Sequence, residues 1–422
     1  MFQFNRCFST GLVSLFLLTA SACWSSGSID GNGVPPDVGA NADTQVAVDT
    51  SPPPPDTSTP PPPVCDCAAL AASMGIPADL DSPKTYDVVS TYADLPIAET
   101  WAFEADLEIR TLAPEFVVVN GQNRMYTPRP PKGISHYVNP SGDGITWTDE
   151  TVVISQGDGG TYGHPYGITG PDGTFHLFMQ TAEAIESDEP TEPREPIDLP
   201  DPKDPQGPKP RAQHKSFTVS VATSTDGENF TEPVSAFDCT TTGLEQCAHG
   251  RITQLDNGCY LMAVSATAYR KHYKPVPWLH DDKPQNPTYT PGNILALSDD
   301  LETWHFTGTY FRACHDPSFG KADGRLSVYC HNESTNSILR FDSTNGLDFD
   351  PMTPAGRVDL RAPTGESMIE NGPELLLGFG DVDWHDVPGL GERFYASVNK
   401  NMGIHGQVIP TIWSFTLTSR DE

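Results

Sequence analysis

Residues 167–179 read GITGPDGTFHLFM, a strand that breaks at Pro171-Asp172-Gly173 and re-enters as a hydrophobic strand; residues 224–230 then read STDGENF, a second turn ending on an aromatic. The first is a hairpin signature, because an Asx-Gly pair supplies the positive φ angles that a tight hairpin demands. It recurs as FVVVNGQNRMY (116–126), RITQLDNGCYLMAV (251–264), SFGKADGRLSVY (318–329) and SMIENGPELLLGF (367–379). The second recurs as SGDGITW (141–147), SDDLETW (298–304) and STNGLDF (343–349). In these, Asp143, Asp226, Asp300 or Asn345 bonds its own turn backbone while the aromatic plugs between strands. Hairpin and aromatic turn alternate four times and end on a fifth hairpin. Each pair makes one four-stranded unit, and five units closed in a ring make an all-β, five-bladed β-propeller. A β-sandwich with repetitive turns is the competing architecture, and strict alternation tells against it. The fifth unit lacks an aromatic turn. Its outer strand is expected from Thr411–Thr418 or from Tyr86–Tyr92.

The rest of the composition is consistent with this. The chain has 422 residues, with 41 Pro, 36 Gly and only 19% charged residues, which disfavours a helical bundle. Its formal charge of −31 excludes a nucleic-acid partner, since that affinity rests on clustered cations. Residues 1–22 read as an export signal: Arg6 precedes an apolar stretch, LVSLFLL (12–18), too short to span a bilayer. Ala20-Ser21-Ala22-Cys23 resembles a bacterial lipoprotein cleavage site, with Cys23 the lipidated residue, so the membrane is contacted through a lipid anchor only. Residues 23–84 then form a Pro-rich, extended tether, and 85–422 the propeller. The implied address is the bacterial cell envelope, at the outer membrane or cell surface, or otherwise secretion. Export permits disulfides. Cys314 and Cys330 flank the Asp323-Gly324 turn and are the first expected pair, Cys239 and Cys247 the next. Cys65-Asp66-Cys67 lacks the second pair of a metal motif.

The strand–turn–strand unit followed by S-x-D-G-x-x-W resembles the five-bladed glycosidases of the arabinanase, β-xylosidase and invertase type, over about Leu112 to Phe379. The resemblance implies a glycan ligand and a site where the inner strands begin, built from two Asp and one Glu. At the matching starts this sequence has Ala113, His164 and His249, so that trio does not carry over; only Asp316-Pro317 keeps an Asp-Pro start, one blade further on.

Two long insertions, 185–211 and 269–291, fall on the face where the inner strands begin. The first is acidic and Pro-rich, read as disorder; the second carries Trp278, suited to stacking on a sugar. His164, His249 and His315 each stand nine residues before the turn glycines Gly173, Gly258 and Gly324, which predicts three imidazoles facing one another around the axis. Three readings follow: a divalent metal ion in the central channel held by the three histidines, a histidine working as acid or base beside Asp316, Glu115 or Glu366, or a polar ring bonding channel water. No phosphate loop, nucleophile elbow or H-E-x-x-H occurs. The combined expectation is an exported, surface-anchored propeller acting on a glycan. Asp316, Glu115 and Glu366 are its acid–base candidates, and His164, His249, His315, Tyr166, Arg251 and Trp278 line its site. The alternatives are a non-catalytic carbohydrate- or partner-binding lipoprotein and a metal-dependent enzyme using the three histidines.

Overall fold

The computed structural model describes residues 66–74, 92–156, 160–184, 214–237, 244–268, 290–312, 314–332, 337–351, 353–370, 378–399 and 410–421. Cys23, most of the tether, the first long insertion, residues 269–289 of the second with Trp278, and residues 86–91 lie outside these.

The five-bladed propeller is present. A strand from the N-terminal side, β1 (Ile97–Arg110), precedes the blades. Blade 1 is β2 (Glu115–Val119), β3 (Gln122–Arg129), β4 (Gly133–Asn139) and β5 (Thr151–Ser155). Blade 2 is β6 (Gly160–Thr169), β7 (Phe175–Ala184), β8 (His214–Ser224) and β9 (Val234–Phe237). Blade 3 is β10 (Leu244–Gln254), β11 (Tyr260–Ala268), β12 (Thr290–Ser298) and β13 (His305–Arg312). Blade 4 is β14 (His315–Ala322), β15 (Arg325–Asn332), β16 (Ser337–Ser343) and β17 (Gly356–Arg361). Blade 5 is β18 (Gly378–Val387), β19 (Gly391–Asn399), β20 (Thr411–Arg420) and, as its outer strand, β1.

The aromatic turns form as their chemistry dictates. The Asp143 carboxylate accepts from the backbone N–H of Ile145 and Thr146 (2.9 and 2.8 Å), and Asp226 from Glu228 and Asn229 (both 2.8 Å). Asp300 and Asn345 repeat the pattern on Glu302 and Thr303 and on Leu347 and Asp348. Each aromatic then packs edge-on between strands, Trp304 on Phe178 and Phe349 on Phe311 for example.

Two parts of the ring differ from the sequence reading. The fifth inner hairpin is β18–β19, turning at Pro388-Gly389-Leu390, and not residues 367–379; Ser367 instead opens a short helical turn after an exposed bend at 363–366. The ring is closed by β1, which pairs antiparallel with β20 and parallel with β17, while Tyr92 sits in a single 3-10 turn upstream. Buried Glu99 locks this closure: it accepts from Tyr329 Oη (3.0 Å), Arg340 Nη1 (3.0 Å), Arg420 Nε (2.6 Å) and Trp101 Nε1 (3.0 Å).

A helix also stands within the stretch expected to be extended tether. Asp66 caps a helix, α1 (Cys67–Ser73), by accepting from Ala69 N–H (2.8 Å). Cys67 and Ala71 of α1 are buried against Leu261, Leu297 and Phe311 of blade 3. A Cys67–Cys259 disulfide fastens the helix there. The expected Cys314–Cys330 bridge is present. Cys247 is disulfide-bonded too, and its expected partner Cys239 lies outside the described residues.

Candidate functional site at the channel mouth

Four of the five inner strands, those of blades 2 to 5, carry an irregularity near their start, while β2 of blade 1 pairs in unbroken register. Bulges lie between Gly163 and Tyr166, Cys247 and Gly250, His315 and Ser318, and Gly380 and Val382. At the corresponding point of four blades the backbone is left-handed: Ala113 (φ 47°), His164 (44°), Asp316 (51°) and Asp381 (43°). Non-glycine residues rarely adopt this conformation. Its effect is to turn the side chain toward the axis. Aligning A-P-E, H-P-Y, H-G-R, D-P-S and D-V-D (from 113, 164, 249, 316 and 381) defines two tiers, one from the first residue of each triplet and one from the third.

The upper tier is Ala113, His164, His249, Asp316 and Asp381, around a hole of about 10 Å³. His249 Nδ1 contacts Asp316 Oδ1 and lies 3.1 Å from Asp381 Oδ1. His164 stacks on His249, and its Nδ1 is 3.6 Å from Asp381 Oδ1 with no hydrogen-bond partner. These side chains are 11–22% exposed. Electrostatics separate the two imidazoles. Burial and the neighbouring His249 push His164 down to about 3. Burial works against the His249 proton as well, but Asp316 and Asp381 outweigh it and hold the group up at about 9. The Asp316 carboxyl is held well below the usual range: burial opposes this, and the charges of His249 and His315 prevail.

His315, expected in this ring, stands beside it. Its Nδ1 is 3.1 Å from Asp316 Oδ2, and across β14–β15 it pairs with His331, ring centroids 5.3 Å apart. The slip comes from turn length. Asn120-Gly121 and Asp323-Gly324 are two-residue turns with positive φ at both positions. The hairpins of blades 2 and 3 are longer, closed by Gly170 N–H to Thr174 O and Leu255 N–H to Cys259 O. Counting nine back from Gly324 therefore lands one residue short of the axial position, which Asp316 fills.

The lower tier stitches the blades together. Glu115 accepts from Gly167 N–H (2.8 Å), Asp383 from Phe116 N–H (2.6 Å), and Ser318 from Trp384 N–H (2.8 Å), each reaching the next blade's backbone. Arg251 crosses the axis, its Nε 2.9 Å from Glu115 Oε2 and 3.2 Å from Asp383 Oδ1, while its Nη atoms donate to Gly250 O and Pro114 O (both 2.8 Å). Burial pushes the Glu115 and Asp383 carboxyls up. Below this plane a cavity of about 410 Å³ runs toward the hairpin turns, past Phe116, Phe319 and Trp384.

Several sequence expectations are thereby corrected. Glu366 lies in the exposed bend, bonded to Thr364 Oγ1 (2.9 Å), because residues 367–379 are not the inner hairpin. Glu115 is an inter-blade tie paired with Arg251, so Asp316, Glu115 and Glu366 do not form one carboxylate set. Tyr166 is fully buried between blades 2 and 3; a Cβ on Gly250 would stand 2.5 Å from its ring, and it packs there as core. Arg251 is likewise buried. His164, His249 and Asp316 do converge. Asp381, Asp383 and His331 were missed; the D-V-D-W run at 381–384 was the signal for the two aspartates, masked by the misplaced fifth hairpin.

No family's sequence profile matches the chain, and no curated protein matches it in sequence. Solved structures do resemble it. An α-L-arabinofuranosidase from Lactobacillus brevis matches with a TM-score of 0.50 at 10% identity, over 75% of this chain and 93% of that one. A thermostable family-43 glycoside hydrolase gives 0.47 at 12%, over 76% and 98%. An endo-1,4-beta-xylanase from Bacteroides thetaiotaomicron VPI-5482 gives 0.46 at 14%, over 74% and 96%. The chain is thus a five-bladed propeller of glycoside-hydrolase-like fold. At these identities the likeness is one of fold.

Proposed function

We propose that this chain is an exported, Cys23-anchored hydrolase of the bacterial cell envelope that acts on glycans through a divalent metal at the channel mouth. One observation carries this reading: donor atoms of His164, His249 and Asp381 lie within 4.8 Å of one another, presented by three different blades. Two imidazoles and a carboxylate are a donor set for zinc, manganese, iron or cobalt. Asp316 Oδ1 contacts His249 Nδ1 beside this group. Such an ion activates water and polarises a carbonyl.

The glycan half of the reading is supported by the fold, which the arabinofuranosidase shares. The bond favoured by this chemistry is an ester or amide substituent of the sugar. Acetal cleavage needs a protonated carboxyl facing a charged one across the bond, whereas the two carboxyls at the mouth, Asp316 and Asp381, both turn onto His249 Nδ1. Water adds across the acyl bond, giving a free acid and the sugar hydroxyl or amine.

The experiment is a panel of acetylated and unsubstituted glycans, followed for released acetate and for new reducing ends. Chelator-sensitive acetate release, lost in His249→Ala, is the expected result. Metal-independent reducing ends would make the protein an ordinary glycosidase, and binding without either product a carbohydrate-binding lipoprotein. Palmitate labelling, abolished by Cys23→Ser, tests the anchor.

A further inference from the structure

Asp316 has two carboxylate oxygens, and they face different partners. Oδ1 contacts His249 in the axial cluster, while Oδ2 lies 3.1 Å from His315 Nδ1 on the side of His331. The donor atoms of His315, Asp316 and His331 are themselves within 4.8 Å of one another, a second group of the same composition as the first. From these contacts we infer that the mouth holds two divalent cations, one on His164, His249 and Asp381, the other on His315 and His331, with Asp316 bridging them. This rests on the metal reading above and extends it from one ion to two.

The surroundings fit a fixed bridge. The Asp316 N–H donates to Ser265 Oγ (2.8 Å), whose hydroxyl is bonded to Asn293 Oδ1 (2.9 Å), so the left-handed backbone at 316 is anchored to blade 3. His315 and His331 are direct cross-strand partners on β14 and β15, which holds their rings on rigid elements. The charges suit two ions: four neutral imidazoles and two carboxylates against four positive charges leave room for a hydroxide and an anionic or polarised substrate group. Carboxylate-bridged pairs in two-metal hydrolases stand about 3.5–4 Å apart, within the span of a single bridging carboxylate. Arg251, the arginine at the axial hole, is neutralised from below by Glu115 and Asp383.

The test is stoichiometry on the full chain, purified without a polyhistidine tag, stripped with chelator and dialysed against zinc, with metal per chain read by elemental mass spectrometry. Two zinc ions per chain are expected, falling to one in His331→Ala and to one in His164→Ala, with circular dichroism confirming that each variant folds and His315→Gln replacing His331→Ala if that variant does not. In the manganese-loaded protein a spin-coupled electron paramagnetic resonance spectrum is expected, reverting to an isolated-ion spectrum in His331→Ala. One zinc in the native chain, unchanged in His331→Ala, overturns the second site and leaves the single-metal reading standing. No zinc overturns both, and two ions with uncoupled spectra overturn the Asp316 bridge.

Discussion

Arg251 is the sharpest place to test the architecture below the mouth. Its guanidinium is buried and meets Glu115, Asp383 and two backbone carbonyls, so it joins blades 1, 3 and 5 across the axis. Arg251→Met removes the cation and keeps most of the volume. Glu115 and Asp383, each about 3% exposed, are then left with their backbone donors but without a counter-charge. Breaking a buried ion pair from one side costs about 3–5 kcal/mol. The cost must depend on pH. Burial has already raised both carboxyls, and losing Arg251 raises them further. A carboxyl whose folded pKa lies above its unfolded value destabilises increasingly as pH rises past the unfolded value, and not at all well below it. Urea unfolding followed by tryptophan fluorescence should therefore show a loss of about 3–5 kcal/mol at pH 7.5 that shrinks toward pH 4. Adding Glu115→Gln and Asp383→Asn should recover most of it. A loss under about 1 kcal/mol, or one independent of pH, would refute the account of Arg251 as the counter-charge of the lower tier.

Two further outcomes follow from the same structure. The Cys67–Cys259 disulfide spans 192 residues, and loop-closure entropy for that length amounts to about 5 kcal/mol, so the Cys67→Ser/Cys259→Ser variant should lose about 3–5 kcal/mol in the same unfolding assay; a change within about 1 kcal/mol would show that α1 docks without it. In chelator-treated protein, His249 keeps its proton up to about pH 9 against an ordinary 6.5, so its contribution of about 3 kcal/mol is full below about pH 6 and lost as pH rises through 9; the stability gap between native chain and His249→Gln should close by about pH 10, and a gap constant from about pH 6 to 10 would contradict the pairing with Asp316 and Asp381. His164 acts in the opposite sense, destabilising as pH falls below about 6.5, because the fold holds it neutral down to about 3.

The parts of the fold legible in the sequence are those decided locally. The aromatic turns are an example: the Asp226 carboxylate bonds N–H groups two and three residues ahead, so S-x-D-G-x-x-F specifies its own geometry. The fifth hairpin was illegible because its turn, Pro388-Gly389-Leu390, lacks the Asx-Gly pair, while Asn371-Gly372 offers a decoy ahead of it. The closing strand was illegible for a different reason. Glu99 in β1 is buried on Arg340, Tyr329 and Arg420, partners more than 200 residues away, and no local pattern encodes that. The convergence of His164 and His249 was legible from spacing, because their hairpins share one turn type. His315 and Asp316 exchanged places because the fourth hairpin does not.

The bulge itself is a property of the scaffold and says nothing about chemistry. Ala113 adopts the same left-handed conformation as His164, Asp316 and Asp381, yet it presents only a methyl group. Conformations of this kind cost about 1–3 kcal/mol each for a non-glycine residue, and a ring that only bonded channel water would be served as well by glycine or serine at these points. What distinguishes this chain is the set of side chains on that shared geometry. Four of the five axial positions hold two imidazoles and two carboxylates, and two further groups, His315 and His331, extend the set to one side. Nitrogen donors occupy blades 2 and 3, while the carboxylates stand on blades 4 and 5. Around a hole of about 10 Å³ these side chains are the nitrogen and oxygen donors that the proposed cation would need.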